Sequence, residues 1–173
     1  MHIRGKKMER IIANEGKSGY HIVTSQFAHE AELYAASQLK IYLEKASFAV
    51  IPYFSDRCEK CTPEIRVGRN VRGNTDRSDG IGDEGFKIYT DGEDIVICGR
   101  TPRGTVYGVY RFLEEIIGFR CFTKDIEAFD KREKIAVSNI DITENPSFEY
   151  RDTYFRGAFD CDYAVKNRLN SSL

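Results

Sequence analysis

An excess of charge of either sign is absent from this chain: 26 basic residues stand against 27 acidic ones, for a net charge of -1. Phosphate-rich partners require a concentrated surplus of Lys and Arg, so nucleic acid is not expected as the main partner. No run of about 18 apolar residues occurs, which leaves no candidate membrane span. The N-terminus, MHIRGKKMER, is basic but leads into no apolar stretch, so it does not read as a signal peptide and the chain is expected in the cytoplasm. Five cysteines (Cys58, Cys61, Cys98, Cys121, Cys161) are an odd number without framework spacing, and reduced thiols fit them better than a disulfide scaffold. Internal repeats and low-complexity segments are absent as well.

At 173 residues with 41% apolar content, the chain can fill one core, with room for a fragment of a second domain. Strand-like runs at 10–13 and 20–23, separated by Asn14-Glu15-Gly16-Lys17-Ser18-Gly19, read as an opening hairpin. From Ser25 to Lys45 the period lengthens: Ala28, Ala31, Ala35, Leu39, Tyr42 and Leu43 share a helical face, with Ser25 as the expected N-cap. Strands are expected at 48–53 and 64–68, then a polar surface loop from Asn70 to Asp83. A hairpin follows at 85–90 and 94–98 around Asp91-Gly92-Glu93, and further strands at 120–122 and 134–137. The expected class is α+β, a mixed β-sheet flanked by two main helices. Pro146 marks a boundary, giving a first unit over 1–145. Beyond it, 148–154 reads as a strand and 164–169 as a helix start, with nothing evident to pair with.

The stretch Gly99 to Phe122, GRTPRGTVYGVYRFLEEIIGFRCF, looks at first like a phosphate loop. A Walker loop needs Lys and then Ser or Thr after its second glycine, and here Gly104 is followed by Thr105 and Val106. The dinucleotide pattern of three glycines is missing too. A packing helix explains more of the residues. Thr101 caps it, Pro102 takes the first position where no N–H is needed, and Gly118 ends it. Val106, Val109, Tyr110, Leu113 and Ile117 then form one apolar stripe, with Gly108 beside it for close approach to a sheet. Arg100 and Arg103, in the loop before the stripe, are left as candidates for binding.

Other chemical signals are weak. Cys58-Glu59-Lys60-Cys61 would need two further ligands at comparable spacing to hold structural zinc, and the sequence supplies none. His2, His21 and His29 are not paired with a nucleophile or a metal set. Carboxylate pairs such as Asp83-Glu84, Glu114-Glu115 and Asp160/Asp162 are numerous, yet none lies in an apolar setting that would raise a pKa for acid/base work. No catalytic residue, cofactor or metal ligand is therefore assigned in this chain.

Three segments together carry a resemblance: EIRVG at 64–68, DEGFKIYTDGEDIVICGRTPRGTVYGVYRFLEEIIGFRCF at 83–122 and NPSFEYRD at 145–152. They resemble the N-terminal ancillary domain of β-hexosaminidases of glycoside hydrolase family 20, of α-glucuronidases of family 67, and of related bacterial proteins whose barrel is uncharacterised. The resemblance covers roughly residues 9 to 152. It implies an α+β domain packed against a downstream (β/α)8 barrel that performs the sugar chemistry, so that 146–173 would be a linker and the start of that barrel. It also implies a role for Arg151 in Pro146-Ser147-Phe148-Glu149-Tyr150-Arg151, because hexosaminidases bind sugar hydroxyls with an Arg at that spacing. The alternative for Arg151 is an ion pair with an acid across the domain junction. The alternative for the whole chain is a freestanding carbohydrate- or protein-binding module, presenting Arg100-Thr101-Pro102-Arg103 with Tyr107, Tyr89 and Tyr53.

Overall fold

The computed structural model describes residues 9–72, 80–154 and 156–170. Strands β1 (Arg10–Asn14), β2 (Lys17–Ser18) and β3 (His21–Thr24) precede helix α1 (Glu30–Ser47). Strands β4 (Tyr53–Ser55), β5 (Glu64–Val67), β6 (Phe86–Asp91) and β7 (Asp94–Gly99) precede helix α2 (Pro102–Ile117). Then come β8 (Arg120–Thr123), β9 (Ile126–Ala128), β10 (Lys134–Val137), β11 (Asp141–Glu144), a 3-10 turn (Arg156–Phe159) and a short helix α3 (Cys161–Lys166). A six-stranded mixed sheet in the order β11-β6-β7-β5-β3-β4 forms the centre of the α+β fold. Its β7, β5, β3 and β4 run parallel, while β6 and β11 are antiparallel additions at one side.

Alternation along the strands divides the sheet into two chemically different faces. Ile22, Ile65, Val67, Ile88, Ile95 and Ile97 join one core with the buried faces of α1 and α2. The residues between them, Glu64, Arg66, Tyr89, Val96 and Cys98, are also buried. On that second face Arg66, 1% exposed, donates to Asp91 at 2.5 Å and to the Arg72 carbonyl at 3.0 Å, with Asp94 at 3.6 Å. A guanidinium this deep is tolerable because carboxylates surround it, and removing one partner would leave an uncompensated buried charge.

Helix α2 follows the sequence reading closely. The Thr101 side chain caps it, Pro102 occupies the first turn, and Gly118 closes it at φ 66°. All five residues of the expected stripe are buried. What the stripe alone does not convey is how near the helix comes to the β6–β7 hairpin. A Cβ on Gly104 would run into the backbone of Gly85 and Gly99, and one on Gly108 would lie 3.0 Å from Ile97 and 3.3 Å from Phe86.

Several expectations are corrected. The opening hairpin does not form: β1 pairs with β2 and β10 in a separate three-stranded sheet, and β3 enters the main sheet between β4 and β5. The cause is a tighter turn, with Glu15 and Gly16 both at positive φ, after which Ser18 Oγ bonds the Ile12 carbonyl at 2.7 Å and redirects the chain. Ser25 is not the cap of α1. That role falls to His29, whose ring accepts from the Ala31 N–H at 3.1 Å while Glu32 returns a bond to the His29 N–H at 3.0 Å, a capping box. Residues 48–52 are not a strand, because Phe48 turns left-handed at φ 60° to end α1 and the Glu44 carboxylate takes the Ile51 N–H at 2.8 Å. Of the expected loop Asn70 to Asp83, residues 73–79 lie outside the described residues.

The reading of 148–154 as a strand fails as well. These residues are irregular, and several of their backbone groups are taken by side chains rather than by a ladder: Asn170 accepts from the Arg151 N–H at 2.7 Å and donates to the Glu149 carbonyl at 2.5 Å, and Arg151 donates to the Phe148 carbonyl at 2.7 Å. Nor does the segment lack partners, since α3 and its flanks pack on α2. Among the described residues no disulfide joins the cysteines, no helix is long and apolar enough to cross a membrane, and no group of three or more His, Cys, Asp or Glu could hold a metal ion.

The contact of α2 with the hairpin yields a direct test. Gly104→Ala places a methyl group against backbone that has no rotamer with which to yield, so a loss of about 1–3 kcal/mol, the range for overpacked cores, is expected in chemical denaturation. An unchanged midpoint would mean that the helix does not seat this closely.

Candidate functional site

The hairpin register determines what meets the loop before α2. Phe86 pairs with Gly99, and one step further out the Arg100 N–H donates to the Gly85 carbonyl at 3.2 Å. Extending that pairing by one and two residues brings Glu84 and Asp83 beside the Arg-Thr-Pro-Arg loop. Two ion pairs result: Arg100 with Asp83 at 3.4 Å, and Arg103 with Glu84 at 3.1 Å. Arg100 and Arg103 thus diverge. Arg100 turns towards Asp83 and donates to the Ile81 carbonyl at 3.1 Å, while Arg103 joins a cluster around Glu84.

Arg151 belongs to the same cluster. Its Nη2 donates to Glu84, its Nη1 to the Phe148 carbonyl at 2.7 Å and its Nε to the Arg168 carbonyl at 2.9 Å. The guanidinium carbon lies 5.7 Å from the centre of the Tyr107 ring, within cation–π range. Tyr107 itself is only 2% exposed and donates to the Leu169 carbonyl at 3.2 Å. Asn170 completes the set by donating to Glu84 at 2.9 Å. Three of the four sequence candidates, Arg103, Tyr107 and Arg151, therefore come together, and Arg100 does not. Of the two roles open to Arg151, the ion pair with an acid is the one the geometry contains.

The residue that joins them, Glu84, was not singled out. The signal lay in Asp83-Glu84 and Arg100/Arg103 flanking the two sides of one hairpin, which makes opposite charges neighbours once the register is known. Partial burial pulls the Glu84 carboxyl upward, but hydrogen bonds and charge from Arg151 and Arg103 outweigh it and hold the group below its ordinary value. Burial, together with the charge of Glu84, raises the Tyr107 phenol, which stays protonated as a donor.

The tyrosine platform expected for a binding module does not exist. Tyr107 lies in the core on the helix side of the sheet and Tyr89, 4% exposed, is buried on the opposite side. Tyr53 sits on the edge strand β4, its hydroxyl 2.9 Å from that of Thr24. Beside a small pocket of about 170 Å³ lined by Glu84, Tyr107 and Arg151, two larger clefts flank the Glu84 cluster. One, of about 500 Å³, runs between α1, α2 and α3 and is lined mainly by Tyr34, Val106, Tyr107, Ala164, Val165 and Leu169. The other, of about 620 Å³, lies between Asp83-Glu84 and the stretch 145–149.

No family model matches the chain, and no curated protein matches it in sequence. Solved structures do match in fold. The family 20 β-N-acetylhexosaminidase of Streptomyces coelicolor A3(2) superposes over 85% of this chain with a TM-score of 0.55 at 17% identity. The N-acetyl-β-hexosaminidase of Streptomyces plicatus gives 0.57 over 85% at 16% identity, and the protein CpGH84B gives 0.53 over 85% at 20%. At such identities the likeness is one of fold. The chain spans 26%, 25% and 22% of the lengths of these three proteins.

The lowered Glu84 titration fixes the sign of a pH effect. A depressed carboxyl contributes stability that is whole above the ordinary carboxylate value of about 4.3 and disappears as pH falls through the lowered one. Hydrogen exchange at 146–170 should therefore be constant from neutral pH down to that range, after correction for intrinsic rates, and accelerate below it. Acceleration already complete near pH 6 would contradict the assignment.

Proposed function

We propose that this chain is the non-catalytic N-terminal domain of a glycoside hydrolase, packing against a (β/α)8 barrel that acts on carbohydrate. The observation that carries the reading is that one fold covers 85% of this chain and only about a quarter of two family 20 hexosaminidases. A module of that size leaves room in such proteins for a separate barrel, where glycosidic bonds are cleaved by paired carboxylates at the C-terminal ends of strands.

The charge inventory points the same way. Four arginines at the candidate site, Arg100, Arg103, Arg151 and Arg168, are each matched to a carboxylate: Asp83, Glu84, Glu84 and Glu114. Their carboxylate partners are thereby engaged as acceptors rather than poised as a general acid. A freestanding carbohydrate-binding module is the weaker reading, because Tyr107 and Tyr89 are buried on opposite sides of the sheet. Of the families that the sequence resembles, family 20 has the added support of the fold.

A panel of 4-nitrophenyl glycosides separates the possibilities. The 173-residue chain is expected to release no nitrophenol, and a longer protein containing it, taken from its source, to hydrolyse at least one member. Turnover by the 173-residue chain that survives repurification would overturn the reading. Saturable binding of an oligosaccharide to the chain alone would favour the module instead.

A further inference from the structure

We propose that Glu84 is the anchor that fixes the segment 146–170 to the domain, with Arg151 as its clamp. This deepens the reading above, on which it rests only in treating the docked segment as a domain junction.

The segment is closed upon itself before it meets the domain. Asn170 and Arg151 exchange two bonds, Arg151 N–H to Asn170 Oδ1 at 2.7 Å and Asn170 N–H to the Arg151 carbonyl at 3.0 Å. The neck of the resulting loop therefore consists of residues 149–151 lying against 168–170. Glu84 holds that neck. Its Oε2 accepts both Arg151 Nη2 and Asn170 Nδ2, while its Oε1 accepts Arg103 from the first turn of α2. One carboxylate thus ties the two sides of the neck to the hairpin and to the helix at once. Charge-assisted bonds of this kind are about twice as strong as neutral ones. At 18% side-chain exposure Glu84 is also largely shielded from the screening that weakens surface pairs.

Other contacts seat the loop without replacing the anchor. Arg168 pairs with Glu114 at 3.1 Å, Lys166 with Glu127 at 2.6 Å, and Tyr107 donates to the Leu169 carbonyl. These three reach residues 166–169, and Tyr34 donates to Asp162 at 3.3 Å. On the 148–151 side of the neck, Arg151 meets the domain at Glu84 and at Tyr107.

The same geometry bears on Arg151 as a sugar ligand. Three of its five N–H groups already donate to protein acceptors, one face lies over Tyr107, and the side chain is 19% exposed. A sugar hydroxyl would meet only the two remaining N–H groups, on a guanidinium whose orientation the protein acceptors already set.

Limited trypsin digestion of the 173-residue chain reads the docking directly, because Arg151, Arg156, Lys166 and Arg168 are cleavage sites inside the segment. Glu84→Gln is expected to raise the rate of cleavage within 151–168 at least tenfold, with circular dichroism and amide exchange of α1 and β7 unchanged. Equal cleavage of wild type and Glu84→Gln overturns the anchor. If Glu84→Gln unfolds the chain, Arg151→Gln, which keeps the carboxylate and removes its partner, must give the same local increase. None of these readouts uses a sugar or a barrel, so failure of the anchor and failure of the glycosidase reading are separate results.

Discussion

The distance between α2 and the β6–β7 hairpin is the constraint on which the other features depend. Gly85, Gly99 and Gly104 meet there with backbone against backbone, and Gly108 continues the approach over Phe86 and Ile97. Because the helix starts directly on the hairpin, the residues before each glycine are forced together: Glu84 precedes Gly85, and Arg103 precedes Gly104. The ion pair between them is a consequence of that seating, and the docking of Arg151 and Asn170 is a consequence of the ion pair. What resembles a nucleotide loop in the sequence is a packing device whose electrostatic by-product is an anchoring point.

Legibility from the sequence followed the range of the interactions. Helix α2 could be read almost residue by residue because cap, proline, stripe and terminal glycine are local signals that agree. The β6–β7 hairpin was legible for the same reason, with Gly92 at φ 63° in its turn. Partners for β1 were not, because its main neighbour, β10, lies more than a hundred residues away and no local pattern encodes that pairing. The start of α1 was missed because His29 is an uncommon cap. Ser25 does make a local bond, but it is to the Phe27 N–H at 3.1 Å, in a turn ahead of the helix.

The site was legible in its parts and not in its assembly. Arg151, Arg103 and Tyr107 stood out, yet their convergence on Glu84 needs the hairpin register and the fold-back of residues 146–170, neither of which has a periodic signature. The irregular path of 148–154 had the composition of a strand, with Phe148, Tyr150 and Tyr154, but these aromatic side chains are exposed and the Asn170 and Arg151 side chains take backbone groups that a ladder would use. The resemblance to glycosidase ancillary domains supplied what periodicity could not, the expected position of the fold within a longer protein. The structural comparisons support that expectation at the level of the fold.

The account stands or falls on whether the chain works as part of something larger. The most direct measurement is the intact mass of the endogenous protein in its source cells, captured with an antibody raised against this domain. A species heavier than 19.8 kDa by at least a barrel of roughly 250 residues is the predicted result. A sole species near 19.8 kDa would contradict it and leave a small independent protein whose function would have to lie in binding.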